Sequence, residues 1–92
     1  PWGVAINHAR DLVMVTESSN HRVSIFRLNG EFVRSFGSMG SGNGQFRDPQ
    51  GIAFNPTTRR ILVADCGNKR IQTFSEEGNF VDKIRVDFDP FC

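Results

Sequence analysis

The chain has 92 residues, with 11 Lys and Arg set against 10 Asp and Glu for a net charge of +1. That balance supplies no bulk field of the kind that marks a nucleic-acid or membrane binder. No apolar run of about 18 residues is present to span a bilayer.

In chain order, residues 3–7 (GVAIN) are small and apolar, follow a proline and predict a first strand. Asn7 opens a turn, and residues 12–16 (LVMVT) are apolar throughout, as a strand covered on both faces is. Ser18–Asn20 predict a second turn, and residues 22–26 (RVSIF) alternate as a third strand. Asn29-Gly30 supplies the positive φ of a tight hairpin, and residues 32–36 (FVRSF) carry charge, as an outer edge strand does. A glycine-rich stretch, residues 37–46 (GSMGSGNGQF), follows.

The pattern then starts again. Residues 1–36 align without a gap on residues 49–84, 48 positions later, with 11 identities. Residues 51–55 (GIAFN), 61–64 (ILVA), 70–74 (RIQTF) and 80–84 (FVDKI) repeat the four strands, with turns at Asn55-Pro56, Cys66–Asn68 and Glu77-Gly78. A period in the range of roughly 20–50 residues marks a solenoid, propeller or array. Four short antiparallel strands with two apolar faces predict a propeller blade. The expected fold class is therefore all-β. Residues 1–48 make one blade with its glycine-rich connector, residues 49–87 make a second, and residues 88–92 begin a truncated third repeat. Because the chain starts in mid-pattern, it reads as a segment of a longer repeat protein, so the absence of a targeting signal excludes nothing. Its open blade faces are expected to be covered by further blades of the parent chain, in preference to a homo-oligomer that completes the ring.

Segments 49–54 (PQGIAF), 61–74 (ILVADCGNKRIQTF) and 77–81 (EGNFV), with residues 37–46 leading into the proline, resemble the NHL repeat. The signature turn is Asp65-Cys66-Gly67-Asn68-Lys69-Arg70-Ile71. Its counterpart in the first unit is Glu17-Ser18-Ser19-Asn20-His21-Arg22-Val23, with glutamate for aspartate and serine for glycine. The resemblance implies two blades of a six-bladed ring and a module that binds protein or RNA. Physically, Glu17 and Asp65 can accept from turn amides, while Asn20 and Asn68 can adopt the left-handed conformation. Arg22 and Arg70 can then reach back to the acids as planar donors. Glu17, Asn20, Asp65 and Asn68 are thus expected to form a structural turn clamp. His21, Arg22, Lys69 and Arg70 are the candidate binding residues of the rim.

Other chemistry finds little support. Residues 40–44 (GSGNG) could pass for a phosphate loop, but no helix follows to receive the phosphate. His8 and His21 lie on different turns and cannot alone make a zinc site. Asp87 and Asp89, with Asp82 nearby, lack the oxygen density of a calcium loop and read as a solvated linker. Cys66 and Cys92 occupy unrelated repeat positions, which argues against a disulfide framework and favours a reducing, cytoplasmic setting. Arg10, Arg59 and Arg60 fall in the first hairpin loops, and the remaining cations are scattered. The expectation is a non-catalytic binding or scaffold module, not an enzyme, with no metal and no cofactor. Its partner would be a protein or a single-stranded RNA, not a membrane. The rival is a metal-dependent lyase or hydrolase built on an NHL-like propeller, which would require His, Asp or Glu at the inner strand ends. Here Asn7 and Asn55 stand there.

Overall fold

The computed structural model describes residues 3–86. The expectations for Pro1, Asp87, Asp89, Cys92 and the third-repeat lead at residues 88–92 lie outside them. Two four-stranded antiparallel sheets form, each in simple sequence order. The first holds β1 (Val4–Asn7), β2 (Leu12–Glu17), β3 (Arg22–Arg27) and β4 (Phe32–Phe36). The second holds β5 (Pro49–Asn55), β6 (Arg60–Asp65), β7 (Arg70–Ser75) and β8 (Phe80–Arg85). All eight strands stand where the apolar runs place them, with ends within a residue or two.

The repeat extends to irregularities. The ladder between third and fourth strands shifts register between Ile25 and Phe26, and again between Thr73 and Phe74. The hairpins that follow turn on Gly30 and Gly78, with φ of +92° and +97°. The second turn of each sheet is a short 3-10 turn, Ser18–Asn20 or Cys66–Asn68. Here the structure departs from expectation. The left-handed residues are His21 and Lys69, not Asn20 and Asn68, because the asparagines still belong to the 3-10 turn and the residue after it reverses the chain. Neither Glu17 nor Asp65 caps the turn; their oxygens are engaged by side chains and the connector.

The core lies between the sheets. Alternation along strands puts Ala5, Met14, Val23 and Ile25 on the face of the first sheet that meets Ile52, Phe54, Ile61, Val63 and Phe74 of the second. β5 lies against β1 and β2. Phe46 arrives from the connector and is fully buried beside Phe74 and Phe36, with ring centroids at 5.5 and 6.4 Å. Two hydroxyls of the first sheet grip the second: Thr16 Oγ1 donates to the Gln50 carbonyl and Ser18 Oγ to the Pro49 carbonyl, both at 2.7 Å. The fit is tight enough that a Cβ on Gly3 would stand 2.5 Å from the Gln50 oxygen.

Cys66 is disulfide-bonded, which corrects the expectation of two unrelated thiols. Distance along a chain does not set distance in the fold. Among the described residues no helix is long and apolar enough to cross a membrane.

Candidate functional site

The signature turns lie at one end of the sheets, where β2 passes into β3 and β6 into β7. In the second sheet Asp65 is fully buried. Its Oδ2 accepts from Arg70 Nε at 2.7 Å, Asn68 Nδ2 at 3.0 Å and Gln72 Nε2 at 3.1 Å. Oδ1 takes the Arg47 amide at 2.7 Å. The Arg70 guanidinium then donates onward to the carbonyls of Ser41, Gly42 and Gln45, at 2.8 to 3.0 Å. Gln72 adds a bond from Nε2 to the Gln45 carbonyl and one from the Gly44 amide to its Oε1. One carboxylate thus organises a network that pins the glycine-rich connector across the blade. The stretch that could pass for a phosphate loop is the connector's own docking segment.

In the first sheet the same positions are built but open. Arg22 forms a bidentate pair with Glu17, Nε to Oε2 at 3.1 Å and Nη2 to Oε1 at 3.2 Å. Asn20 and Ser24 also donate to Glu17. These bonds, first that from Arg22 and then that from Ser24, hold the Glu17 carboxyl down at about 2, against the opposing effect of burial. Among the described residues no connector crosses this clamp, and Arg22 stays exposed.

The structure therefore separates the four rim candidates. Arg70 is buried and committed to carbonyls, and Arg22 is tied to Glu17. His21 is half-exposed and accepts the Asp48 amide at Nδ1 across 3.1 Å. Lys69 is exposed beside Asn68, Arg85 and Ser41, which line a shallow hollow of about 450 Å³.

A second locus, which sequence reasoning treated only as scattered loop arginines, lies at the opposite end of the sheets. The first hairpin loops of the two sheets frame a groove of about 510 Å³, lined by Asn7, His8, Arg10, Phe54, Arg59 and Glu76 among others. Arg10 Nε pairs with Glu76 Oε1 across the joint at 3.0 Å, and Asn7 Nδ2 donates to Glu76 Oε2 at 3.3 Å. Asn7 is almost completely buried, yet its Oδ1 has no hydrogen-bond partner. Its repeat twin behaves otherwise: Asn55 Oδ1 accepts the Thr57 amide at 2.9 Å and closes its own turn. A buried acceptor without a donor costs about 1–3 kcal/mol, so Asn7 stands out among these loops. The sequence signal was present in the asparagines that end both inner strands, but the contrast between them depends on Glu76, which lies 69 positions away.

Among the described residues no group of three or more His, Cys, Asp or Glu stands together to hold a metal ion.

Two stacked four-stranded antiparallel sheets, the first passing its chain to the second through a pinned connector, define a pair of β-propeller blades. The chain belongs to the family DUF5128, 6-bladed beta-propeller, which matches residues 4–92. It is also similar to RING finger protein nhl-1 of Caenorhabditis elegans, 50% identical over 40 residues, a match that spans 44% of this chain and 4% of that protein. Among solved structures it resembles Kuenenia stuttgartiensis hydrazine synthase, with a TM-score of 0.79 and 12% identity over 98% of this chain and 24% of that one. A protein of Bacteroides fragilis NCTC 9343 gives a TM-score of 0.78 and 20% identity over 95% of this chain and 24% of that one. At these identities the likeness shows the fold alone. It nevertheless corrects the expectation that the chain is not an enzyme. An enzyme carries the same arrangement of blades, so the architecture gives no ground for excluding catalysis.

Proposed function

We propose that these blades are of the NHL type and form part of an interaction module that holds a protein segment at its hairpin end, in the groove between the two sheets. The observation that carries this reading is the groove of about 510 Å³ framed by the two hairpin loops, with Phe54, His8, Arg10 and Arg59 in its lining, a size typical of ligand sites. An extended peptide lies along this groove, where Phe54 offers apolar contact and Arg59 favours an acidic side chain. The local similarity to RING finger protein nhl-1 supports the NHL assignment and fits a protein-interaction role. A protein partner is favoured over single-stranded RNA because two of the four rim cations expected to meet phosphate are engaged, Arg70 with connector carbonyls and Arg22 with Glu17.

The test is selection of random displayed peptides on the chain, run beside titration with a single-stranded RNA oligonucleotide. Acidic peptides should emerge whose binding falls about tenfold, or about 1.4 kcal/mol, in Arg59→Glu and is unchanged in Lys69→Ala. RNA binding that drops steeply with salt and depends on Lys69 would overturn the reading.

A further inference from the structure

Of the seven asparagines in the chain, only Asn29 and Asn43 precede a glycine. An asparagine loses its side-chain amide when the backbone nitrogen of the next residue attacks its Cγ, a covalent change that turns a neutral group into an acid. A side chain on that next residue blocks the approach, and glycine presents none. The fold treats the two sites differently. Asn29 and Gly30 form the exposed tip of the hairpin between β3 and β4. Gly30 has a φ of +92°, and a Cβ there would meet nothing within 4 Å. Its amide donates to the Arg27 carbonyl at 2.9 Å, a turn bond between exposed residues of the kind that opens locally at little cost. Asn29 Oδ1 accepts the Glu31 amide at 2.9 Å, which draws electron density from Cγ. Asn43 instead sits in the pinned connector. The Gly44 amide donates to Gln72 Oε1 at 2.9 Å, and Gln72 is fully buried and bonded in turn to Asp65 and the Gln45 carbonyl. Lys83 Nζ holds Asn43 Oδ1 at 2.8 Å. For Asn43 to react, Gly44 must leave a network anchored on Asp65.

We propose that Asn29 is the site at which this protein deamidates, and that docking of the connector protects Asn43. Hydroxide removes the Gly30 amide proton, and the nitrogen forms a bond to Asn29 Cγ. The Cγ–Nδ2 bond breaks and ammonia leaves with a proton taken from water. A second water opens the resulting cyclic imide at either carbonyl, giving an aspartate or an isoaspartate at position 29. The net exchange is water for ammonia, with no oxidation or reduction, and the new carboxylate takes the net charge from +1 to zero. The aspartate form keeps the hairpin, because its carboxylate still accepts the Glu31 amide. The second blade already carries an acid at the same place, Glu77 before Gly78. The isoaspartate form adds a methylene to the main chain and disturbs the pairing of Phe26 with Phe32, whose rings meet edge to face at 5.7 Å.

Incubation of the folded chain at mildly alkaline pH, followed by tryptic mapping and isoelectric focusing, tests this. Trypsin separates the two sites, because Arg27, Arg34 and Arg47 place Asn29 in the peptide 28–34 and Asn43 in the peptide 35–47. The amide-to-acid mass change should accumulate in peptide 28–34 at least about tenfold faster than in peptide 35–47. In urea, where the connector no longer docks, the two rates should converge. Asn29→Gln should stay a single isoelectric species over the period in which wild type yields an acidic one. Equal rates in the folded chain, faster conversion in peptide 35–47, or no conversion in either peptide overturns the proposal. So does a gap between the two peptides that persists in urea, since that would trace the difference to the local sequence and not to the docked connector.

Discussion

Arg70 Nε lies 2.7 Å from Asp65 Oδ2, and the two side chains are only 6% and 0% exposed, whereas their repeat twins Arg22 and Glu17 form the same pair at 44% and 27% exposure. One motif is thus a buried ion pair in one blade and a surface pair in the other. The difference lies in whether a connector crosses it.

Truncating the two arginines should therefore have unequal effects. Arg70→Met strands the Asp65 carboxylate in a dry site and releases three connector carbonyls, at a cost of about 3–5 kcal/mol. Arg22→Met removes an exposed pair worth about 0–1 kcal/mol. Urea unfolding of both variants checks this, and equal losses would show that the connector does not seal the second clamp.

The Glu17 carboxyl sits at about 2 in the folded chain against 4.5 ordinarily. A depressed value stabilises the fold above the ordinary value, and that contribution fades as pH falls from 4.5 toward 2. Because the side chain is partly exposed, the loss should amount to about 1 kcal/mol or less. Midpoints of thermal unfolding measured between pH 5 and 2 should fall more steeply for wild type than for Glu17→Gln.

Gly67 explains why the two units differ at this position of the turn. A Cβ there would stand 2.5 Å from Arg47 Cβ and 2.9 Å from the Arg47 carbonyl oxygen, and that backbone is itself held by Asp65 and by the Gly67 amide. Its twin Ser19 is exposed, and among the described residues no connector crosses that turn. Gly67→Ala should cost about 1–3 kcal/mol, by analogy with overpacked sites, while Ser19→Gly should change stability by only a few tenths. Chemical denaturation of the pair distinguishes them.

Phe46 ties connector to core. Its removal in Phe46→Ala opens a cavity among Phe36, Phe74 and the Gly37 backbone, with an expected loss of about 3–5 kcal/mol. Since a domain of this size has about 5–15 kcal/mol in total, the variant should show weakened protection of connector amides in hydrogen exchange, beginning with the Phe46 and Gly40 amides that close the loop.

The eight strands, the glycine hairpins and the pairing of Arg22 with Glu17 and Arg70 with Asp65 were legible in the chain alone. Each depends on side-chain periodicity or on residues five positions apart, and a 48-residue repeat shows each pattern twice. The left-handed residue was misplaced by one position because a 3-10 turn and a left-handed turn share the same residue types; only the closing bond, Lys69 amide to Cys66 carbonyl at 3.2 Å, separates them. Everything else turned on segments distant in sequence. That Arg70 is buried and Arg22 open, that Gly67 must lack a side chain while Ser19 need not, and that Asn7 turns to Glu76 while Asn55 serves its own loop all depend on which stretch of chain arrives above each blade. Identical local chemistry acquires different solvation there, and solvation is a property of the packed sheets rather than of the residues that form them.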